Sequence, residues 1–253
     1  MSVLRTPFEA AARTLGLLAE TIRACIRTPP PRRAVLAQMF NTGNRSLLFL
    51  LVTMGFLGMI TVYQGCLQAM KVLPDLSNAG AIFIMAMVRE FGPTITALML
   101  ATRVGTGIAA EIAAMVVSDQ VEALKVSSTD PIAFLVTPRF LGFVVMMFVC
   151  TVYSCAVAVA AGLLMAELRF QINPHTFLSL SFTRWSDLYV GLAKTFAYGV
   201  AIPILSADSG FRATGGSEGV GWATTRAVIN STFAIIFLDF VIAGIGYLLV
   251  RGT

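Results

Sequence analysis

Charge is scarce in this chain. Only 12% of its 253 residues are Asp, Glu, Lys or Arg, against 57% apolar, and the mean hydropathy is +0.82. A soluble protein of this length buries a large core but cannot hide that much apolar surface, so a soluble globular domain is excluded. Histidine is nearly missing. With His175 alone, the sequence supplies no His-based zinc set. Gly215-Gly216-Ser217-Glu218-Gly219 fits the G-x-S-x-G pattern, but no strand precedes it and His175 is expected across a membrane from it, which argues against a Ser/His triad. The four cysteines, Cys25, Cys66, Cys150 and Cys155, lack metal-ligand spacing and read as apolar filler. Phosphate-loop glycines are absent too: Lys194-Thr195 is preceded by Ala193, and Leu188 stands where the first glycine belongs. Gly105-Thr106-Gly107 follows a membrane helix rather than a strand and is no dinucleotide fingerprint. The chain is thus expected to hold no metal or cofactor and to hydrolyse no ATP itself. Asn230-Ser231-Thr232 matches a glycosylation sequon only by chance, because it falls at a membrane boundary.

What is present is long apolar segments. Five candidate spans run roughly over residues 47–64, 80–102, 141–166, 188–207 and 229–250. The fourth carries Lys194 and is the weakest. Ahead of them, Phe8, Ala11, Ala12, Leu15, Leu18, Ile22 and Ile26 recur at three- and four-residue steps. Charged Glu9, Arg13, Glu20, Arg23 and Arg27 lie between them, the pattern of an amphipathic helix in the membrane interface. Pro29-Pro30-Pro31 ends it. No cleavable signal peptide or Ser- and Arg-rich transit peptide is recognisable, so the N-terminus is expected to be retained. The predicted fold class is an all-α polytopic membrane protein, with residues 1–46 as a cytoplasmic or interfacial segment and 47–253 as a membrane domain. The formal charge of +5 bears on orientation rather than nucleic acid. Twelve basic residues, seven of them before the first span, fall on one side, against Lys71, Arg169, Arg184 and Arg251 on the other. Positive-inside bias then puts the N-terminus in the cytoplasm and the C-terminus outside.

Arg89 and Glu90 sit side by side within the second span, followed at once by Phe91-Gly92-Pro93. A helix from Gly80 rises about 1.5 Å per residue, so Glu90 lies about 15 Å deep, near the centre of a core about 30 Å thick. Charges at that depth face protein or a wet cavity and mark a functional site by default. The plainer alternative is a structural ion pair. Pro93 lacks an N–H and clashes with the carbonyl of Arg89, which loosens the helix beside the charges. Asp239 in the fifth span reaches about the same depth, and Lys194 is expected to sit shallower. Arg89–Asp239 is the expected pair by depth and sign. In this reading Arg89, Glu90, Lys194 and Asp239 form a polar patch in an otherwise apolar cavity, with Phe83, Met87 and Leu98 in its apolar part.

The helical pattern continues beyond the second span through Glu111 to about Val117. Ser118-Asp119-Gln120-Val121-Glu122-Ala123-Leu124-Lys125 then reads as a short amphipathic helix capped by Ser118 or Asp119 and stopped by Asp130-Pro131. Such a helix suits a groove on another protein, or is an ordinary surface helix. Between the last two spans, Gly210 to Arg226 reads as an ordered glycine-rich turn, with Thr224 or Thr225 capping the final helix. In that helix, Gly244 and Gly246 would permit close helix approach.

These stretches carry a resemblance. Arg89 to Leu98, Ala101-Thr102-Arg103-Val104-Gly105, Ala110-Glu111-Ile112, Ser118 to Leu124, Asp130-Pro131 and Pro138-Arg139 follow one another as in the MlaE (YrbE) permease family. So do Gly210-Phe211-Arg212, Gly215 to Gly221, Ala223 to Val228 and Leu238-Asp239-Phe240. The similarity runs from about Asn41 to the end. It implies a homodimeric permease subunit of an ABC transporter in a bacterial inner membrane, moving glycerophospholipids between inner and outer membranes and so maintaining outer-membrane lipid asymmetry. Two cytoplasmic ATPases would bind the ATP and Mg, and a periplasmic MCE-domain protein would complete the assembly. Glu111, Ser118, Asp119, Gln120, Val121, Glu122 and Leu124 would then be the ATPase-coupling residues, the charged patch would lie on the lipid path, and Phe83, Met87 and Leu98 would accept acyl chains. An ion-coupled secondary transporter or channel using the intramembrane charges is the alternative, though no inverted repeat supports it. An intramembrane enzyme lacks the residues it would need.

Overall fold

The computed structural model describes residues 5–71 and 78–251, with side chains described for residues 9, 11–71 and 78–248. Among these residues every regular element is helical. Helix α1 is Arg5–Arg27 and α2 is Arg32–Ala69. The helix α3, Ala79–Val117, is continuous, followed by α4, Gln120–Val126. Then come α5 (Ile132–Phe170), the single turn α6 (Pro174–Phe177), α7 (Trp185–Phe211) and α8 (Ser217–Arg251). Helices α2, α3, α5, α7 and α8 are each long and apolar enough to cross a membrane, which makes the chain an all-α polytopic membrane protein.

The crossing helices exceed the expected spans at nearly every end. Polar residues such as Arg32, Arg33, Gln38 and Arg45 keep an apolar count from starting before Leu47. Helix formation needs only an unbroken backbone ladder, and no proline stands between Pro31 and Pro74. The expected turn from Gly210 to Arg226 shrinks likewise. Helix α7 runs to Phe211 and α8 starts at Ser217, leaving only residues 212–216 between them. Gly215 and Gly216 take φ of 85° and 73°, a reversal that a side chain would strain. Thr224 and Thr225 do not cap. They lie inside α8 and donate back to the carbonyl of Gly221, at 2.7 and 3.2 Å.

The chain divides into two compact units. The first comprises residues 1–44, 98–146 and 198–236. Here α1 docks through buried Thr21 and Ala24 and through an ion pair from Arg13 Nε to Asp208 at 2.9 Å. Its apolar residues Leu15, Ile22 and Ile26 are left exposed. That arrangement inverts a soluble surface helix and suits only an apolar surrounding. Phe8, assigned to the same stripe, lies outside the described side chains. Arg139 of α5 pairs with Glu111 of α3 at 2.8 Å.

The second unit comprises residues 45–97, 147–197 and 237–253. Its core packs Met54 and Val62 of α2, Phe83 and Met87 of α3, Ala158 of α5 and Phe177 of α6. Within this unit α3 changes register. Residues 87–91 form a π turn, in which Gly92 N–H donates to the carbonyl of Met87 rather than that of Val88. The sequence explains the slip. Pro93 has no N–H to give the Arg89 carbonyl, so the ladder must shift there. A Cβ on Gly92 would collide with Cys155 Sγ and stand 2.6 Å from the Met87 carbonyl oxygen. Gly92→Ala is therefore expected to lower stability by about 1–3 kcal/mol. Gly65→Ala, on an open face of α2, should stay within about 0.5 kcal/mol. Thermal melting of the two purified proteins in one detergent checks the contrast.

Candidate functional site

Five ionisable side chains of the second unit converge on the π turn. Arg89 Nη1 donates to Asp187 Oδ1 at 3.0 Å, and its Nε lies 3.4 Å from Glu90 Oε1. Glu90 Oε2 accepts from Lys194 Nζ, which also lies 2.8 Å from Asp239 Oδ1. Thr94 Oγ1 donates to the same Asp239 oxygen at 2.8 Å. Helices α3, α7 and α8 are thereby tied together within apolar surroundings. By formal count the cluster holds two cations and three carboxylates.

The sequence reading brought the right charges together but paired them wrongly. Arg89 meets Asp187, and Asp239 goes to Lys194. The error came from matching backbone depths, since long cationic side chains shift their charge by several ångströms along the helix. Asp187 lies one residue outside the expected fourth span. It sits in the first turn of α7, and its second oxygen accepts from the backbone N–H of Arg184 at 2.9 Å. One carboxylate thus finishes a helix start and holds Arg89. An acid in the first turn of an apolar helix was the available signal. Thr94, four residues after Glu90 on the same face, was the other.

Exposure divides the roles. Lys194 is 0% exposed, whereas Arg89, Asp239 and Glu90 keep 26%, 29% and 36% of their side chains open. Arg89 and Glu90 are about 100° apart in a regular helix, but the wider π turn and the long side chains let both join one network. Phe83 and Met87, expected to accept acyl chains, are instead buried packing residues, Phe83 tilted on Phe177 with ring centroids 6.1 Å apart. Leu98 is half-buried and belongs to the first unit.

In the first unit α4 forms where expected, with Val121 buried, Leu124 half-buried, and Gln120 and Glu122 exposed. Its start differs. Ser118 Oγ donates backward to Ala114 O at 2.8 Å, and Asp119 has φ of 57° with no side-chain cap bond. A left-handed residue just past a helix end closes the preceding helix, so these two terminate α3 instead of capping α4. Asp130 caps the next helix, accepting from Ile132 N at 2.9 Å. Gly246 is consumed within the chain, where its face meets Val190 of α7, and Gly244 faces open space.

Removing one member of a buried ionic network strands the rest. Lys194→Met is expected to cost about 3–5 kcal/mol. Combined with Asp239→Asn it should cost less than the two single changes together, with a coupling of about 0.5–3 kcal/mol. Melting of the four proteins tests this, and strict additivity would deny the contact any energetic role.

Comparison with known proteins places this geometry. The family described as Permease MlaE matches residues 35–245. A probable ABC transporter permease protein of Synechocystis is 36% identical over 224 residues, covering 88% of this chain and 84% of the relative. One from Rickettsia typhi is 32% identical over 237 residues, covering 91% of each. The chloroplastic protein TRIGALACTOSYLDIACYLGLYCEROL 1 of Arabidopsis thaliana is 32% identical, covering 83% of this chain and 61% of that protein. Five crossing helices and matches spanning most of the chain agree: the protein belongs to the MlaE permease family and is a membrane-spanning ABC transporter permease, a class that implies a partner ATPase.

Proposed function

We propose that the chain is the permease subunit of a transporter moving glycerophospholipids between the inner and outer membranes of a double-membrane bacterium, maintaining outer-membrane lipid asymmetry. The observation that supports this most is the partly open Arg89–Glu90 pair held in a hydrocarbon-compatible unit. A substrate with a charged head and apolar tails needs both features. One relative has a galactolipid in its name, which favours a lipid over an ion. The same reading takes the chain as a homodimer in the inner membrane, N-terminus in the cytoplasm, with an MCE-domain protein on the periplasmic face.

Within the network the roles differ. Arg89 offers the cation that can meet a lipid phosphate, exchanging Asp187 for another anion. Glu90 borders the same opening. Lys194 is a positioning residue, since it has no open surface, whereas Asp239 keeps 29% of its side chain open beside the pair. In Arg89→Ala and Glu90→Ala proteins that still purify with the ATPase, phospholipid carried through purification should fall about tenfold, as expected for losing about 1.4 kcal/mol of charge-assisted contact. Unchanged lipid and transfer rate in both would remove the pair from the substrate path.

Coupling is assigned to α4. Its exposed Glu122 and Lys125 border a depression with Val116, Asp130 and Phe211 at the end of the first unit, a shape suited to a protein partner. Helix α3 directly precedes it. Glu122→Arg should leave ATP hydrolysis running while lipid transfer drops at least about tenfold, an uncoupling worth about 1.4 kcal/mol. Hydrolysis and transfer both at wild-type level would reassign the segment as an ordinary surface helix.

A further inference from the structure

Three arginines crowd the turn between α7 and α8. Arg13 is paired with Asp208, but Arg212 and Arg226 have no carboxylate within 4.0 Å among the described residues. Together with Thr214, Gly219, Trp222 and Ala223 they line a cavity of about 170 Å³ within the first unit. Burial, and after it the neighbouring Arg13 and Arg226, push the Arg212 guanidinium down from its ordinary value, with Asp208 opposing. One carboxylate, Asp208, against three guanidiniums leaves a net positive cluster that favours a bound anion. Glu218, in the first turn of α8, does not line the cavity.

The surroundings narrow the anion. Trp222, Arg226, Ile229 and Phe233 follow at steps of four, three and four, and so share one face of α8. Trp222 is 63% exposed, and Ile229, Phe233 and Ile236 are exposed as well. An exposed Trp at the head of an apolar stripe marks a membrane–water interface. The cavity has room for about six water volumes, enough for a phosphate and adjoining glycerol atoms but not for an acyl chain. The chain would lie along the stripe.

We infer that Arg212 and Arg226 form a binding site for the phosphate of a membrane phospholipid, separate from the buried charge network. Two guanidinium forks match phosphate geometry, and Thr214 adds a hydroxyl donor. The site stands on its own geometry and does not depend on what the permease carries.

Trp222 provides the readout. Trp185→Phe leaves it the sole tryptophan of the 253 residues. In non-ionic detergent, its emission is titrated with dihexanoylphosphatidylglycerol and, in a second arm at matched ionic strength, with inorganic phosphate. The lipid should give a saturable change, weakened at least about tenfold in Arg212→Gln/Arg226→Gln and partly restored in Arg212→Lys/Arg226→Lys. Phosphate should need far higher concentrations. If the double glutamine variant does not purify as a single species, Arg212→Gln and Arg226→Gln alone should each weaken the lipid curve. Identical curves in wild type and variants overturn the site. Equal response to phosphate makes it a free-anion site and overturns the lipid. An unchanged lipid curve with lost ATPase capture makes it a protein-docking surface instead.

Discussion

A charge in hydrocarbon has no water to hold it, and this constraint organises the second unit. Lys194 is wholly enclosed, so its ammonium must find its partners within the protein. It finds Glu90 on α3 and Asp239 on α8, and Arg89 reaches Asp187 at the start of α7. Three crossing helices therefore cannot slide or rotate independently, because each movement would expose a charge. Apolar packing alone would not fix this arrangement, since lipid tails are as apolar as the side chains they replace.

The motif around these charges has a backbone logic. Proline at 93 withholds the donor that the Arg89 carbonyl would use, and the ladder answers with a π turn at residues 87–91. Glycine at 92 leaves space for Cys155 and for the Met87 carbonyl, which also accepts a weak contact from that thiol at 3.8 Å. Gly92 and Pro93 thus shape the platform on which Arg89 and Glu90 stand. Two further π turns, residues 101–105 and 132–136, occur in α3 and α5.

Much of this was legible before any coordinates. Long apolar runs give the five crossing helices, Pro29-Pro30-Pro31 separates α1 from α2, and the isolated charges announce the network. What the sequence did not carry is distance. Pairing depends on side-chain reach, so Arg89 was matched to Asp239 by depth when Asp187 was closer to its tip. Helix ends were misjudged because hydropathy fades before the backbone ladder does, as at Arg32 and Ser217. The cap assigned to Asp119 failed because a single left-handed φ, invisible in composition, turns that residue toward the helix behind it. Phe83 and Met87 look like lipid-facing residues by type alone, yet three-dimensional packing makes them core.

The sharing of one ammonium between two carboxylates also restricts how the sequence can drift. Any replacement of Lys194 by a neutral residue removes the cation between Glu90 and Asp239 and leaves Glu90 with Arg89 alone, and any loss of either acid leaves Lys194 with one of its two carboxylates. Positions 90, 194 and 239 lie far apart in the chain but form a single mutational unit. A route from this trio to an apolar one passes through intermediates less stable than either end. The three helices are thereby bound to one another in descent as well as in space.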